Sequence, residues 1–181
     1  ETCQWEGQQF SVAEIAPMAF KSSKISSVSI PDCIEVVGDR AFELCTDLVE
    51  INISNNSQLV RIGVDAFSKC KSLTSVFIPK NVREMPRAAF YMCSSVRTVT
   101  FGEGSVLESL GDRAFASNDE LEQVVDAPST LKRIEPYAFR SCPALKDIAL
   151  PSNLEYIGYN SFQNNYSLTS LDLPSTITFL D

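Results

Sequence analysis

Among residues that could do chemistry, the 181-residue chain has six cysteines and 23 acidic residues but no histidine. The commonest general base and the commonest zinc ligand are therefore both missing. Cys45, Cys70, Cys93 and Cys142 each stand three residues after a phenylalanine, and no C-x-x-C spacing completes a tetrahedral metal set. Equivalent cysteines on successive coils point the same way and cannot easily bring their sulfurs together, so these four read as a ladder of small buried thiols. Cys3 and Cys33 break that pattern and fall near the N-terminal end. They read as free thiols by default, and a disulfide stapling that end is the alternative. The acidic residues Glu50, Asp147 and Asp172 form no pair at a spacing suited to acid–base work. No catalytic constellation and no cofactor site is expected.

Asn52-Ile53-Ser54, Asn55-Asn56-Ser57 and Asn165-Tyr166-Ser167 would accept glycan in a eukaryotic secreted protein. Glycan on Asn52 would cover the surface argued below to bind.

The cysteines are placed by an internal repeat of about 23 residues. Ala-Phe recurs with its phenylalanine at Phe20, Phe42, Phe67, Phe90, Phe115 and Phe139, and Ser161-Phe162 is a seventh copy. Six residues later a second apolar set begins, spaced L-x-x-L-x-L, as in Leu73, Val76 and Ile78. A third set closes the unit as V-x-x-I-G, as in Leu59 to Gly63. Three apolar clusters per repeat make three sides of one coil. A single unit cannot bury its apolar residues alone, whereas stacked units share a continuous core.

The L-x-L part has period 2 and β-branched enrichment, which predicts one strand per rung of a parallel sheet near 27–30, 50–53, 75–78, 98–101, 123–127, 147–150 and 170–173. The G-x-x-A-F-x-x-C segment spaces apolar residues three and four apart, which predicts a helical or 3₁₀ turn on the opposite side. Two units are lengthened by loop insertions at Ser54 to Gln58 and Gly102 to Val106. A third needs one extra residue at Val125 or Asp126, a β-bulge. The expectation is a single right-handed α/β solenoid domain over 1–181 with about seven rungs. Residues 1–14 would form a partial rung or cap, with Cys3-Gln4-Trp5 as a truncated strand and Trp5 as a lid, and 15–181 the repeats.

The unit Ile62-Gly63-Val64-Asp65-Ala66-Phe67-Ser68-Lys69-Cys70-Lys71-Ser72-Leu73-Thr74-Ser75-Val76-Phe77-Ile78-Pro79 resembles the BspA-like leucine-rich repeats, and the likeness runs through about residues 12 to 180. The chain departs from that pattern at Ser23, Asn118 and Asn165, where Cys is expected, and at Pro86 and Glu135, where Gly is expected. The resemblance implies a surface-displayed or secreted protein that mediates adhesion, with extracellular matrix, host or neighbouring-cell proteins as partners. It implies no catalytic residues.

Alternation turns Val28, Ile51, Val76, Val99, Val124, Ile148 and Leu171 inward, so their neighbours face solvent. The outward rows are Ser27, Glu50, Ser75, Thr98, Gln123, Asp147, Ser170 and Ser29, Asn52, Phe77, Thr100, Val125, Ala149, Asp172. Folding leaves these free to vary, which makes Glu50, Asn52, Ser75, Phe77, Thr98, Thr100, Gln123, Val125, Asp147 and Asp172 the candidates for partner contact. Phe77 is the bulky aromatic among small polar neighbours, the kind of residue that anchors interfaces.

Fifteen Lys and Arg against 23 Asp and Glu give a net charge of −8, which repels phosphate backbones and anionic lipid, so nucleic acid is not an expected partner. No apolar run approaches the roughly 18 residues of a spanning helix, so direct membrane insertion is not expected either. The start at Glu1, without methionine, suggests a processed start or an excised piece. Ile177 and Leu180 open a further V-x-x-I set that stops at Asp181, which leads us to expect more repeats or domains beyond it. An inert spacer that projects another domain is the competing reading.

Overall fold

The computed structural model describes residues 3–5, 8–10 and 14–180, with side chains from 14 to 179. The chain winds as a parallel β-solenoid of about six turns, roughly 23 residues apart. The L-x-L segments form the first side as Ser27–Ile30, Glu50–Ile53, Ser75–Ile78, Thr98–Phe101, Gln123–Val124 and Asp147–Ile148. Like pairs with like, for instance Val76 with Val99 and Val99 with Val124. Residues 170–173 form no strand, and Leu173 is half exposed. An outermost rung gains the burial and ladder of one neighbour only.

A second parallel ladder lines another side, where one sheet alone was expected. It consists of the V-x-x-I pairs Glu14–Ile15, Val36–Val37, Arg61–Ile62, Glu84–Met85, Ser109–Leu110, Arg133–Ile134, Tyr156–Ile157 and Phe179–Leu180. Each strand is two residues long, one outward and one inward, too short for period 2 to show in the sequence.

The third side carries the Ala-Phe segments and, among the described residues, is not helical. Fifteen non-glycine residues have positive φ there or nearby, and all but Asp126 lie two positions before or after a spine phenylalanine, as Arg40 (56°) and Leu44 (64°) flank Phe42. Left-handed residues every fourth position make alternate amides point along the stack. The Ala41, Glu43 and Cys45 N–H groups bond within the rung to Gly38, Arg40 and Phe42 carbonyls, while those of Arg40, Phe42 and Leu44 donate to Val64, Ala66 and Ser68 of the next rung at 2.7–2.9 Å. Every amide in the segment is thereby satisfied, which a helical turn lying across the stack would not achieve between rungs.

The seven phenylalanines stack down this side with centroids 5.0–5.7 Å apart and interplanar angles of 2–13°. The central five are buried, whereas Phe20 is 41% exposed and Phe162 half-buried, since each end ring has one neighbour. The glycine that follows four of the short strands, Gly38, Gly63, Gly111 or Gly158, permits the rungs to approach. A Cβ on Gly63 would sit 2.4 Å from the Asp39 nitrogen, and one on Gly111 2.4 Å from the Met85 oxygen.

Both ladders part at one step of the stack. No ladder joins Arg61–Ile62 to Glu84–Met85, nor Glu50–Ile53 to Ser75–Ile78, while the third side stays closed across the same step through Phe67 N–H to Ala89 O at 2.9 Å. On the short-strand side the cause is Pro86. In other rungs the residue at this position, Gly38, Gly63, Glu135 or Gly158, donates its N–H to the preceding rung, as Gly63 does to Val37 O at 2.8 Å. Proline has no N–H to give to Ile62 O. The two-residue insertion at 54–58 lies at the corner between the parted strands.

At the bulge, Asp126 takes up the extra residue with φ 53°, ending the strand at Val124 and returning Ala127 to the core. At the N-terminus Cys3–Trp5 pairs antiparallel with Gln8–Phe10. It is a hairpin, not the truncated parallel rung expected from spacing, because only Glu6-Gly7 separates the strands and a parallel crossover needs a dozen residues or more. The expected lid role of Trp5 concerns a side chain outside the described residues.

Candidate functional site

The outward surface of the first side carries the candidate contact residues. Ser75, Thr98, Gln123 and Asp147 stand in one row by strand register, and Phe77 stands beside Thr100 in the next. Glu50 and Asn52 register with Ser27 and Ser29 on the other side of the parted step, so the rows are interrupted between Asn52 and Phe77. Glu50, Asn52, Ser75, Gln123 and Asp147 are exposed, and Thr98, Thr100 and Phe77 are half-buried. Val125 lies past the strand end, half-buried, its N–H bonded to Val99 O at 2.9 Å. Asp172 is exposed and belongs to no ladder. The structure thus brings six of these residues onto one continuous sheet (Ser75, Phe77, Thr98, Thr100, Gln123, Asp147) and leaves four at its margins.

One edge of this face is charged. Arg97 reaches Glu120 at 2.7 Å and Glu122 at 3.7 Å, and Lys146 reaches Glu122 at 2.9 Å. The hydrogen bond from Lys146 holds the Glu122 carboxyl below the usual carboxylate range. Partners one rung apart recur elsewhere, as in Arg87 with Asp65 and Lys132 with Glu155, because a 23-residue period sets equivalent side chains a rung apart.

The cysteine ladder has a function in the fold that the sequence did not disclose. Each thiol donates to the carbonyl of the spine phenylalanine one rung back: Cys45 to Phe20 at 3.0 Å, Cys70 to Phe42 at 3.2 Å, Cys93 to Phe67 at 3.1 Å and Cys142 to Phe115 at 3.2 Å. Asn118 fills the same place, its Nδ2 bonded to Phe90 O at 3.2 Å and Phe115 O at 2.9 Å. The position selects a small buried donor, so Asn replaces Cys there without loss of the bond. Burial pushes the Cys93 and Cys142 thiols up to about 12 and Cys70 further, so they stay protonated donors and poor nucleophiles at neutral pH. Cys33, by contrast, is disulfide-bonded, where a free thiol was the default expectation, because spacing alone cannot show which cysteines the folded end brings together. Among the described residues no group of three His, Cys, Asp or Glu could hold a metal ion, and no helix is long and apolar enough to cross a membrane.

Of the sequons, Asn165 is committed to the fold, its Oδ1 accepting the Cys142 N–H at 2.9 Å, whereas Asn52 and Asn55 are exposed. An aromatic cluster on the second side was missed by sequence reasoning. Arg133 lies 4.1 Å over the Tyr156 ring, which stacks on Phe179 at 5.5 Å. The signal was available, since all three hold the outward place of V-x-x-I, but it becomes legible only when that segment is known to be a strand.

The family model for the BspA type leucine rich repeat region matches in six copies, over residues 13–125 and 60–181. Among solved structures, a leucine rich cell surface protein from Faecalibacterium prausnitzii A2-165 is similar at TM-score 0.78 and 32% identity, covering 93% of this chain and 45% of that one. A leucine-rich repeat protein from Eubacterium ventriosum ATCC 27560 is similar at TM-score 0.75 and 24% identity, covering 87% and 41%. The T. pallidum leucine-rich repeat protein gives TM-score 0.57 and 26% identity, covering 80% and 75%. The chain therefore spans under half the length of the first two. No protein with a curated description matches it.

Proposed function

This chain belongs to the BspA-type leucine-rich repeat family, and on that premise we propose that it is a non-catalytic module that binds a protein partner along the outer face of its long-strand sheet, outside the cell or at its surface. The observation that carries the reading is Phe77, half-buried beside Thr100 on a sheet face otherwise lined by Ser75, Thr98 and Gln123. The fold makes no use of an aromatic ring at that outward position; its own aromatic spine is on another side of the coil. A ring of this kind on a flat face of small polar groups supplies apolar area with little side-chain entropy to lose. The disulfide at Cys33 suits an oxidising compartment. The F. prausnitzii relative is described as a cell surface protein.

The test is solid-phase binding of the module to purified extracellular-matrix proteins, namely collagen, fibronectin and laminin, with F77S/T100K alongside. Both substitutions are on the outward face, so folding should survive. Loss of a central anchor costs about 2 kcal/mol or more, a weakening of about 30-fold. Equal binding by the variant would move the site off this face, and no binding by either protein at micromolar concentration would leave the spacer reading in its place.

A further inference from the structure

Across the step at which both ladders part, the main-chain bonds among the described residues lie on the third side and at its corner. The Asp65, Phe67 and Lys69 N–H groups donate to Arg87, Ala89 and Tyr91 carbonyls at 3.1, 2.9 and 2.7 Å, and Thr74 N–H donates to Val49 O at 3.2 Å, beside the point where the chain passes to the next rung. The Phe67–Phe90 stack at 5.1 Å, the Cys93 thiol bond to Phe67 O at 3.1 Å and the Arg87–Asp65 ion pair at 3.2 Å reinforce that side. The following step is tied all round: Gly102 N–H reaches Ile78 O at 2.9 Å, Val106 N–H reaches Lys80 O at 2.9 Å and Glu108 N–H reaches Arg83 O at 2.8 Å. On the second side the ion pairs also turn away from the parted step, Arg61 to Asp39 on the rung before it and Arg83 to Glu108 on the rung after it. At the corner between the two parted sides the tie comes from a side chain, Asn81 Nδ2 to Ser57 O at 3.0 Å. A cavity of about 330 Å³, lined by Val60, Ile62, Met85 and Pro86 among others, lies between the parted short strands.

We propose that this step is a hinge, at which the coil bends by pivoting on the Ala-Phe side and opens or closes at the corner latched by Asn81 and Ser57. Bonds gathered along one side permit rotation about it, and hinge motion is absorbed where few contacts cross. Pro86 sets the place, because it leaves Ile62 O without the N–H that Glu135, at the same position, gives to Leu110 O at 2.8 Å. Ile62 and Met85, on either side of the step, are 4% and 2% exposed, so wide opening would wet the core and the closed form predominates. The motion alters the angle between Glu50 and Asn52 on one part of the long-strand face and Ser75 and Phe77 on the other. The hinge follows from main-chain connectivity and does not depend on that face binding a partner.

The experiment measures distances between paired spin labels on the whole chain by double electron–electron resonance. One pair replaces Glu35 and Lys132, both exposed on the second side, and the other replaces Ser22 and Ser117 on the third. Each pair spans four rungs across the step, roughly 20 Å. Cys45, Cys70, Cys93 and Cys142 are buried and stay unlabelled. The second-side distribution is expected to be about twofold broader than the third-side one. Asn81→Ala, which releases the latch, is expected to broaden it further. Pro86→Glu, which returns the missing N–H, is expected to narrow it toward the third-side width. The third-side pair should be unchanged in both variants, whose folding is checked by thermal melting. Equal widths for the two pairs in the unaltered protein, a third-side width that follows the second-side one, or a second-side width that ignores either substitution would each overturn the hinge.

Discussion

Phe90→Ala tests whether the stacked spine holds the coil together. Phe90 is 2% exposed and lies between Phe67 at 5.1 Å and Phe115 at 5.6 Å, nearly parallel to both. Truncating a buried phenylalanine costs about 3–5 kcal/mol in transfer and cavity energy. The two lost ring pairs, at roughly 0.5–1.5 kcal/mol each, place this one near the upper end. The rungs above and below are tied through the third-side bonds and cannot sag into the hole, which keeps the cavity open. Phe20 is the internal control, being 41% exposed with a single stacked neighbour, so Phe20→Ala should cost about 1–2 kcal/mol. Urea unfolding followed by far-ultraviolet circular dichroism reads the difference. With a slope of about 2 kcal/mol per molar, the Phe90 variant's midpoint should fall by roughly 2 M and the Phe20 variant's by about 0.5–1 M. Equal shifts for the two, or less than about 1 kcal/mol for Phe90→Ala, would refute a load carried by stacking at the centre of the coil.

Gly63→Ala should destabilise by about 2 kcal/mol or more, because its Cβ would lie 2.4 Å from main-chain atoms that cannot move without parting two rungs; thermal melting checks it. Lys69→Gly should stabilise by roughly 0.5–1 kcal/mol, since lysine at φ 64° bears a left-handed penalty larger than glycine's extra chain entropy; an unchanged urea midpoint would count against that backbone assignment. The thiols of Cys70, Cys93 and Cys142 have folded pKa values raised above 9.0, so the folded state binds more protons than the unfolded one above that value. Their contribution is complete below pH 9 and is lost as pH rises toward 12, at about 1.4 kcal/mol per thiol per pH unit, so unfolding titrations should show a steep alkaline loss that is blunted when these cysteines are replaced by asparagine. In hydrogen exchange, amides of 170–173, which belong to no ladder, should exchange much faster than those of 75–78 and 98–101.

The repeat, the spine and the register of the first side were legible in the sequence. Burial imposes them on residue type: Phe42, Phe67, Phe90, Phe115 and Phe139 admit no polar substitute in their places, and equal spacing puts like on like when coils stack. The same alternation placed Ser75, Thr98 and Gln123 outward and in a row, and the one-residue surplus near Asp126 was countable by position. The conformation of the Ala-Phe side was not legible, because its left-handed residues include Arg40, Leu44, Lys69 and Met92, types that favour right-handed backbone when considered locally. What holds them there is the bond each segment makes to the next rung, more than twenty residues away in sequence. The second ladder, the step opened at Pro86 and the pairing of Cys33 depend likewise on which rung lies against which. A sequence records its burial pattern residue by residue, but main-chain hydrogen bonds between coils carry no side-chain signature, and only the tertiary structure decides them.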